Sequence, residues 1–132
     1  MSGGYRYAET TLHDGLNFEV YHAAHTAKND ALLAMGVDPN VITLRFYRPA
    51  NYTERDISFV VPGEAKGLYG VGGSEIWILA GNDPTDAAVS AAHEARHVWQ
   101  HLSGSMQRDS VGQEEDAESW ALGFVDSRRR EC

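Results

Sequence analysis

The chain carries a single cysteine, Cys132, among its 132 residues. No internal disulfide can form from it, and no cysteine-based metal cluster can be assembled. Positive charge is also scarce: Lys plus Arg number 11 against 19 Asp plus Glu, a formal net charge of −8. A sequence-independent hold on phosphates needs clustered cations, so this balance argues against a nucleic-acid partner. The one basic run, Arg128-Arg129-Arg130, closes an expected helix, where the carbonyl end of the dipole favours cations. Long apolar runs are missing as well. No uncharged stretch approaches the ~20 residues that span a bilayer, which excludes a transmembrane helix. Met1-Ser2-Gly3-Gly4-Tyr5-Arg6 lacks the apolar segment of a signal peptide. The expectation is a soluble, cytoplasmic protein with no membrane partner.

The chain does hold enough apolar residues for a core: 42% are hydrophobic and 23% charged, the balance of a globular domain. There is no internal repeat, low-complexity tract or Pro/Ser-rich linker, so residues 1–132 read as one domain. Asn17 to His22 alternates in the manner of a strand. Ala23 to Met35 reads as a helix stopped by Gly36. Val41 to Arg48 and Ile57 to Val61 are β-branched and aromatic, and a third strand, Glu75 to Ala80, follows the Gly-rich segment Gly70-Val71-Gly72-Gly73.

The pattern then changes. Asp83 can cap a helix with Pro84 at its first position, and that helix is expected to run to about Ser103, with Gly104 as its stop. Ser110-Val111-Gly112-Gln113 opens a last helix with a capping box, and Ala117, Trp120, Ala121, Phe124 and Val125 share one apolar face of it. The order strand, helix, three strands, helix, helix implies an α+β fold. Short connections favour a small, mostly antiparallel sheet, with one face covered by the N-terminal helix and the two C-terminal helices.

The chemistry concentrates in His93-Glu94-Ala95-Arg96-His97. His93 and His97 stand four apart on a helix placed by its own cap, so both imidazoles project from one face. That spacing suits one tetrahedral zinc ion, with each nitrogen at about 2.0–2.1 Å. Glu94 borders the same face and can act as general base on a water activated by the metal. His-Glu-x-x-His is thus accounted for at every position.

A third ligand must come from further along. His101 continues the four-residue spacing, but eight residues of helix carry it about 12 Å along the axis from His93. One ion cannot span that distance. The long signature with Gly and His after the second histidine also fails, because Gln100 and Ser103 occupy those positions. The acidic run Glu114-Glu115-Asp116-Ala117-Glu118 is the better source. A short turn after Gly104 would bring its first turn back toward the metal. Glu114 and Glu118 share a face, so one can bind zinc while the other orients a histidine. Glu115 and Asp116 fit an acidic first turn favoured by the dipole.

With these residues in place, the chain resembles the gluzincins, metallopeptidases that bind zinc through His-Glu-x-x-His and a downstream glutamate. Glu114 to Ala121 is similar to the Glu-x-x-Ala-(Asn/Asp)-x-aromatic-Ala signature of small bacterial and phage members, including the ImmA/IrrE type. The resemblance covers roughly Asp83 to Val125. It implies a minimal zincin-like fold, one zinc ion on His93, His97 and Glu114, Glu94 as catalytic base, and a peptide or protein substrate. It also implies a substrate strand at Glu75, Ile76, Trp77 and Ile78, whose free edge would take peptide by β-addition.

Two positions depart from the family pattern. Arg96 stands where an uncharged residue is usual; it points to another side of the helix, where Asp116 or Glu118 can pair with it. Glu118 replaces the shorter Asn or Asp. Arg96 and the small size also motivate an alternative: a zinc-stabilised binding or regulatory module of phage or bacterial type that no longer cleaves. A hydrolase acting on a non-peptide amide is a third reading. Tyr69, His101 and Arg96 are candidate donors to a developing oxyanion, and no spacing rule selects among them.

Overall fold

In the computed structural model the described residues are 4–51, 53, 57–62, 66–70, 72–104 and 110–130. The first element is a strand, β1 (Gly4–Glu9), a segment the sequence pattern did not announce. Asn17 then starts a helix rather than a strand. Its side chain accepts hydrogen bonds from the Glu19 and Val20 amides, and α1 runs Phe18–Ala34. The expected strand at Asn17 to His22 is therefore corrected. Its alternation spans six residues only, whereas Val20, Ala24, Ala27 and Ala31 keep helical spacing and are all buried. Gly36 takes a φ of 78° just beyond the helix, a left-handed position that suits glycine.

Four more strands follow: β2 (Thr43–Pro49), β3 (Ile57–Pro62), β4 (Gly67–Tyr69) and β5 (Glu75–Leu79). They join β1 in one sheet of order β3-β1-β2-β5-β4. Three pairings are antiparallel, as expected, and β2 with β5 is parallel. The parallel pair arises because β3 crosses to the far edge beside β1. The chain then returns to add β4 at the other edge, and β5 enters between β4 and β2 in the direction of β2. The architecture is α+β with a mixed sheet. The helices α2 (Pro84–Leu102) and α3 (Ser110–Arg130) complete it within a residue or two of their expected limits.

Alternation along β2 and β5 sends Leu44, Phe46, Ile76 and Ile78 to one face, where α1 and α2 cover them. The helices meet through small residues: Ala24, Ala27 and Ala31 on α1, and Ala87, Ala91 and Ala95 on α2, are wholly buried. Alanine at these positions lets the helix axes approach closely and brings α2 tight against the sheet. Ala121 and Val125 of α3 join the same core. On the opposite face Tyr7 and Tyr47 meet edge to face at 4.8 Å, with Leu68, Trp77 and Leu79 packed against them. Among the described residues no helix is long and apolar enough to cross a membrane.

Candidate metal centre

Asp83 accepts from the Asp86 amide and fixes where α2 begins, which sets the phase of everything along it. His93, Glu94 and His97 follow in its middle, with side chains only 14%, 10% and 11% exposed. Their ligand atoms lie within 4.8 Å of one another, a group that can hold a metal ion. His93 Nε2 and His97 Nε2 stand 3.2 Å apart, as two imidazoles one helical turn apart do when turned toward a common point.

Helix α3 returns alongside α2 and brings its first turns to that point. Glu114 places Oε2 at 3.0 Å from His93 Nε2 and Oε1 at 2.9 Å from His97 Nε2. Glu94 Oε2 is further off, 3.8 Å from His93 Nε2. Ligands at 2.0–2.1 Å around a tetrahedral ion are separated from each other by about 3.3 Å. Two imidazole nitrogens and a carboxylate lie within a few tenths of an ångström of that separation, a spacing compatible with one shared metal ion. Glu114 is better placed than Glu94 to be the third ligand. Glu118 Oε2 lies 2.8 Å from the other ring nitrogen of His93, Nδ1, so the longer carboxylate does reach the histidine.

Glu94 sits beneath the edge strand. A Cβ added to Gly67 of β4 would stand 3.3 Å from Glu94 Cγ and 3.4 Å from Ser90 Cβ, so the absent side chain is what lets β4 lie this close to α2. Burial pushes the Glu94 carboxyl up to about 7; His93 and His97 pull the other way, and Glu114 adds to the rise.

A cleft of about 600 Å³ opens over these groups, walled by Gly67, Leu68 and Tyr69 of β4 on one side and Glu114, Glu118 and Leu122 of α3 on the other. Glu75, Ile76, Trp77 and Ile78 do not line it. Strand β5 is paired on both sides, with β2 and with β4, so it has no free edge to offer a peptide. The sheet edge at the cleft belongs instead to β4, too short at three residues to show a strand pattern in the sequence.

Arg96 turns away from the cleft. Its guanidinium binds Asp116 through Nε at 2.8 Å and Nη2 at 3.2 Å, over the face of Trp99 at 4.0 Å and near Trp120 at 5.3 Å. The arginine holds Asp116 below the usual carboxylate range, and the Gln100 hydrogen bond acts in the same direction. Glu115 is exposed and lines no part of the cleft. His101 is exposed at the end of α2, so of the three candidate oxyanion donors only Tyr69 borders the cleft.

Gln100 is a residue that motif reasoning passed over. It is 2% exposed, and its Oε1 lies 2.8 Å from His97 Nδ1. Its amide nitrogen donates to the Gln113 carbonyl at 3.1 Å and to Asp116 Oδ2 at 2.9 Å. The available signal was its position three residues after His97 on a helix. No protein-family model, curated protein or solved structure matches the chain.

Proposed function

We propose that the chain is a zinc-dependent peptidase of the gluzincin kind, acting on peptide or protein substrates in the cytoplasm. The observation that carries the reading is the convergence of Glu114 on the paired Nε2 atoms of His93 and His97, with Glu94 left beside them. Zinc held there would polarise the scissile carbonyl and make water a stronger nucleophile at neutral pH. The remaining work falls to the chain's own residues. Glu94 accepts the proton of the attacking water and delivers it to the leaving amine. A carboxylate beside a metal-bound water is placed to take and return that proton. The outer edge of β4 supports an extended peptide across the cleft. Tyr69, which lines the cleft, would donate to the oxyanion.

The alternative of a non-cleaving module drew on Arg96, and the Arg96–Asp116 pair leaves the catalytic side of α2 free of that charge. The test compares zinc content and peptide cleavage in the wild type, Glu94→Gln and Glu114→Gln. Glu94→Gln is expected to keep stoichiometric zinc and lose cleavage by at least about 10²-fold, as expected for loss of a general base. Glu114→Gln is expected to lose both. Wild-type protein without bound zinc sinks the reading, and zinc-loaded protein that cleaves neither peptides nor small amides selects the binding module.

A further inference from the structure

Four side chains form one continuous chain of contacts from the metal group into the α2–α3 interface: His97, Gln100, Asp116 and Arg96. Asp116 Oδ2 is the shared atom of the last two links, accepting from both Gln100 and Arg96. Gln100 Oε1 faces His97 Nδ1 at 2.8 Å, and the amide end of Gln100 donates to Asp116 Oδ2 at 2.9 Å. The two oxygens of Asp116 receive the Arg96 fork. A carboxamide oxygen is only an acceptor, so Nδ1 of His97 is the donor in this contact, which leaves Nε2, beside Glu114 and His93, as the nitrogen for a metal. The other end of the same carboxamide holds two groups of α3, the Gln113 carbonyl and Asp116, on either side of Glu114 in sequence.

We propose that Gln100, Asp116 and Arg96 are positioning residues that fix the tautomer of His97 and pre-set Glu114 over the histidine pair, so that the metal meets three ligands already in place. This rests on the metal-site reading above. Gln100 does both jobs because its oxygen and nitrogen point in opposite directions, one to α2's own histidine and one to α3. Arg96 supplies the far anchor: a planar fork held over Trp99 at 4.0 Å has little freedom to let Asp116 move. The charge inside His93-Glu94-Ala95-Arg96-His97 thus serves the third ligand, which arrives from another helix.

The experiment measures zinc affinity by competition with a chromophoric chelator, the visible spectrum of the cobalt(II) form, and the melting temperature of the metal-free protein. Gln100→Met keeps the buried volume and removes both polar links; it is expected to weaken zinc by about 10- to 100-fold, the usual effect of removing an outer-shell partner. Asp116→Asn and Arg96→Lys, both at the helix interface, are expected to weaken it by about three- to tenfold through loss of the paired fork. Adding Asp116→Asn to Gln100→Met is expected to cost less than the two single effects combined, because both act through one path. The cobalt spectrum is expected to change in Gln100→Met, which a role in packing alone would not produce. Glu115→Gln serves as the control and should leave affinity unchanged. Wild-type affinity and spectrum in Gln100→Met, with or without a lower melting temperature, overturn the positioning role and leave the metal site standing. Should Gln100→Met fail to fold, unchanged affinity in both Asp116→Asn and Arg96→Lys overturns it equally. Wild-type protein that binds no zinc overturns the metal-site reading and this proposal with it.

Discussion

Glu118 on α3 reaches across to His93 on α2, its Oε2 2.8 Å from the ring nitrogen Nδ1. The carboxylate is 54% exposed, so it retains much of its water and the contact adds little stability. Glu118→Gln keeps an acceptor at the same reach and is expected to bind zinc within about threefold of wild type, while Glu118→Ala is expected to lose about 10-fold or more. Chelator competition on the two variants checks this. Equal affinity in Glu118→Ala and wild type would show that the contact does not orient the histidine.

Gly67 of the edge strand packs against the expected base, Glu94. Its added Cβ would stand 3.3 Å from Glu94 Cγ and from Ile78 Cδ1, so the neighbours have to yield. Gly67→Ala is expected to cost about 1 kcal/mol and Gly67→Val about 2 kcal/mol, the range for crowding a packed site. Cleavage should fall more steeply than stability, because a base displaced by a fraction of an ångström loses its alignment. Thermal melts alongside kcat measurements separate the two effects. Unchanged kcat in Gly67→Val would remove the strand from any part in placing Glu94.

The pH dependence of the metal-free protein follows from Glu94. Burial raises its carboxyl from 4.5 to about 7, so between those values the folded chain holds a proton that the unfolded chain has released. The unfolded state then binds fewer protons, and stability falls as pH rises through that window. The contribution is fully present below about pH 4.5 and gone above about pH 7. Glu94→Gln is expected to flatten this slope. Urea melts across the window, run with a chelator present, provide the measurement; an identical slope in Glu94→Gln would assign the dependence to other groups.

Lys28 provides a prediction remote from the site. It is 5% exposed, and its ammonium donates to the carbonyls of Pro39 at 2.9 Å and Ile42 at 2.8 Å, tying α1 to the segment that leads into β2. Lys28→Met retains the aliphatic length and leaves those acceptors short of a donor, at an expected cost of about 2 kcal/mol. Denaturant melts measure it directly. A variant as stable as wild type would mean that water replaces the ammonium there.

The two C-terminal helices were the most legible part of the sequence. Asp83, Pro84 and Gly104 mark the limits of α2 by local chemistry, which tertiary packing had no reason to override. His93, Glu94, His97 and Glu114 could be grouped because helical spacing is rigid and few residues separate α2 from α3 in the sequence. Strand order was not legible in the same way. Nothing in Glu75 to Leu79 says that β4 will pair with its outer side, since three residues carry no periodicity and the pairing is non-local. Asn17 to His22 was misread because a short alternating run fits either period until its cap is seen. Gln100 was missed for a different reason: its role depends on partners thirteen and sixteen residues away, on another helix.

The brevity of β4 bears on what the cleft can discriminate. A three-residue edge, Gly67–Tyr69, offers outward main-chain groups from at most a couple of residues, since alternate positions face the neighbouring strand. A polypeptide laid along it would be gripped over a very short span, with little selection for an extended stretch of fixed length. Discrimination among substrates would then fall to the side chains lining the cleft, Tyr69 and Leu122 among them, and a flexible tail or loop would suit such a cleft better than a long, rigid strand.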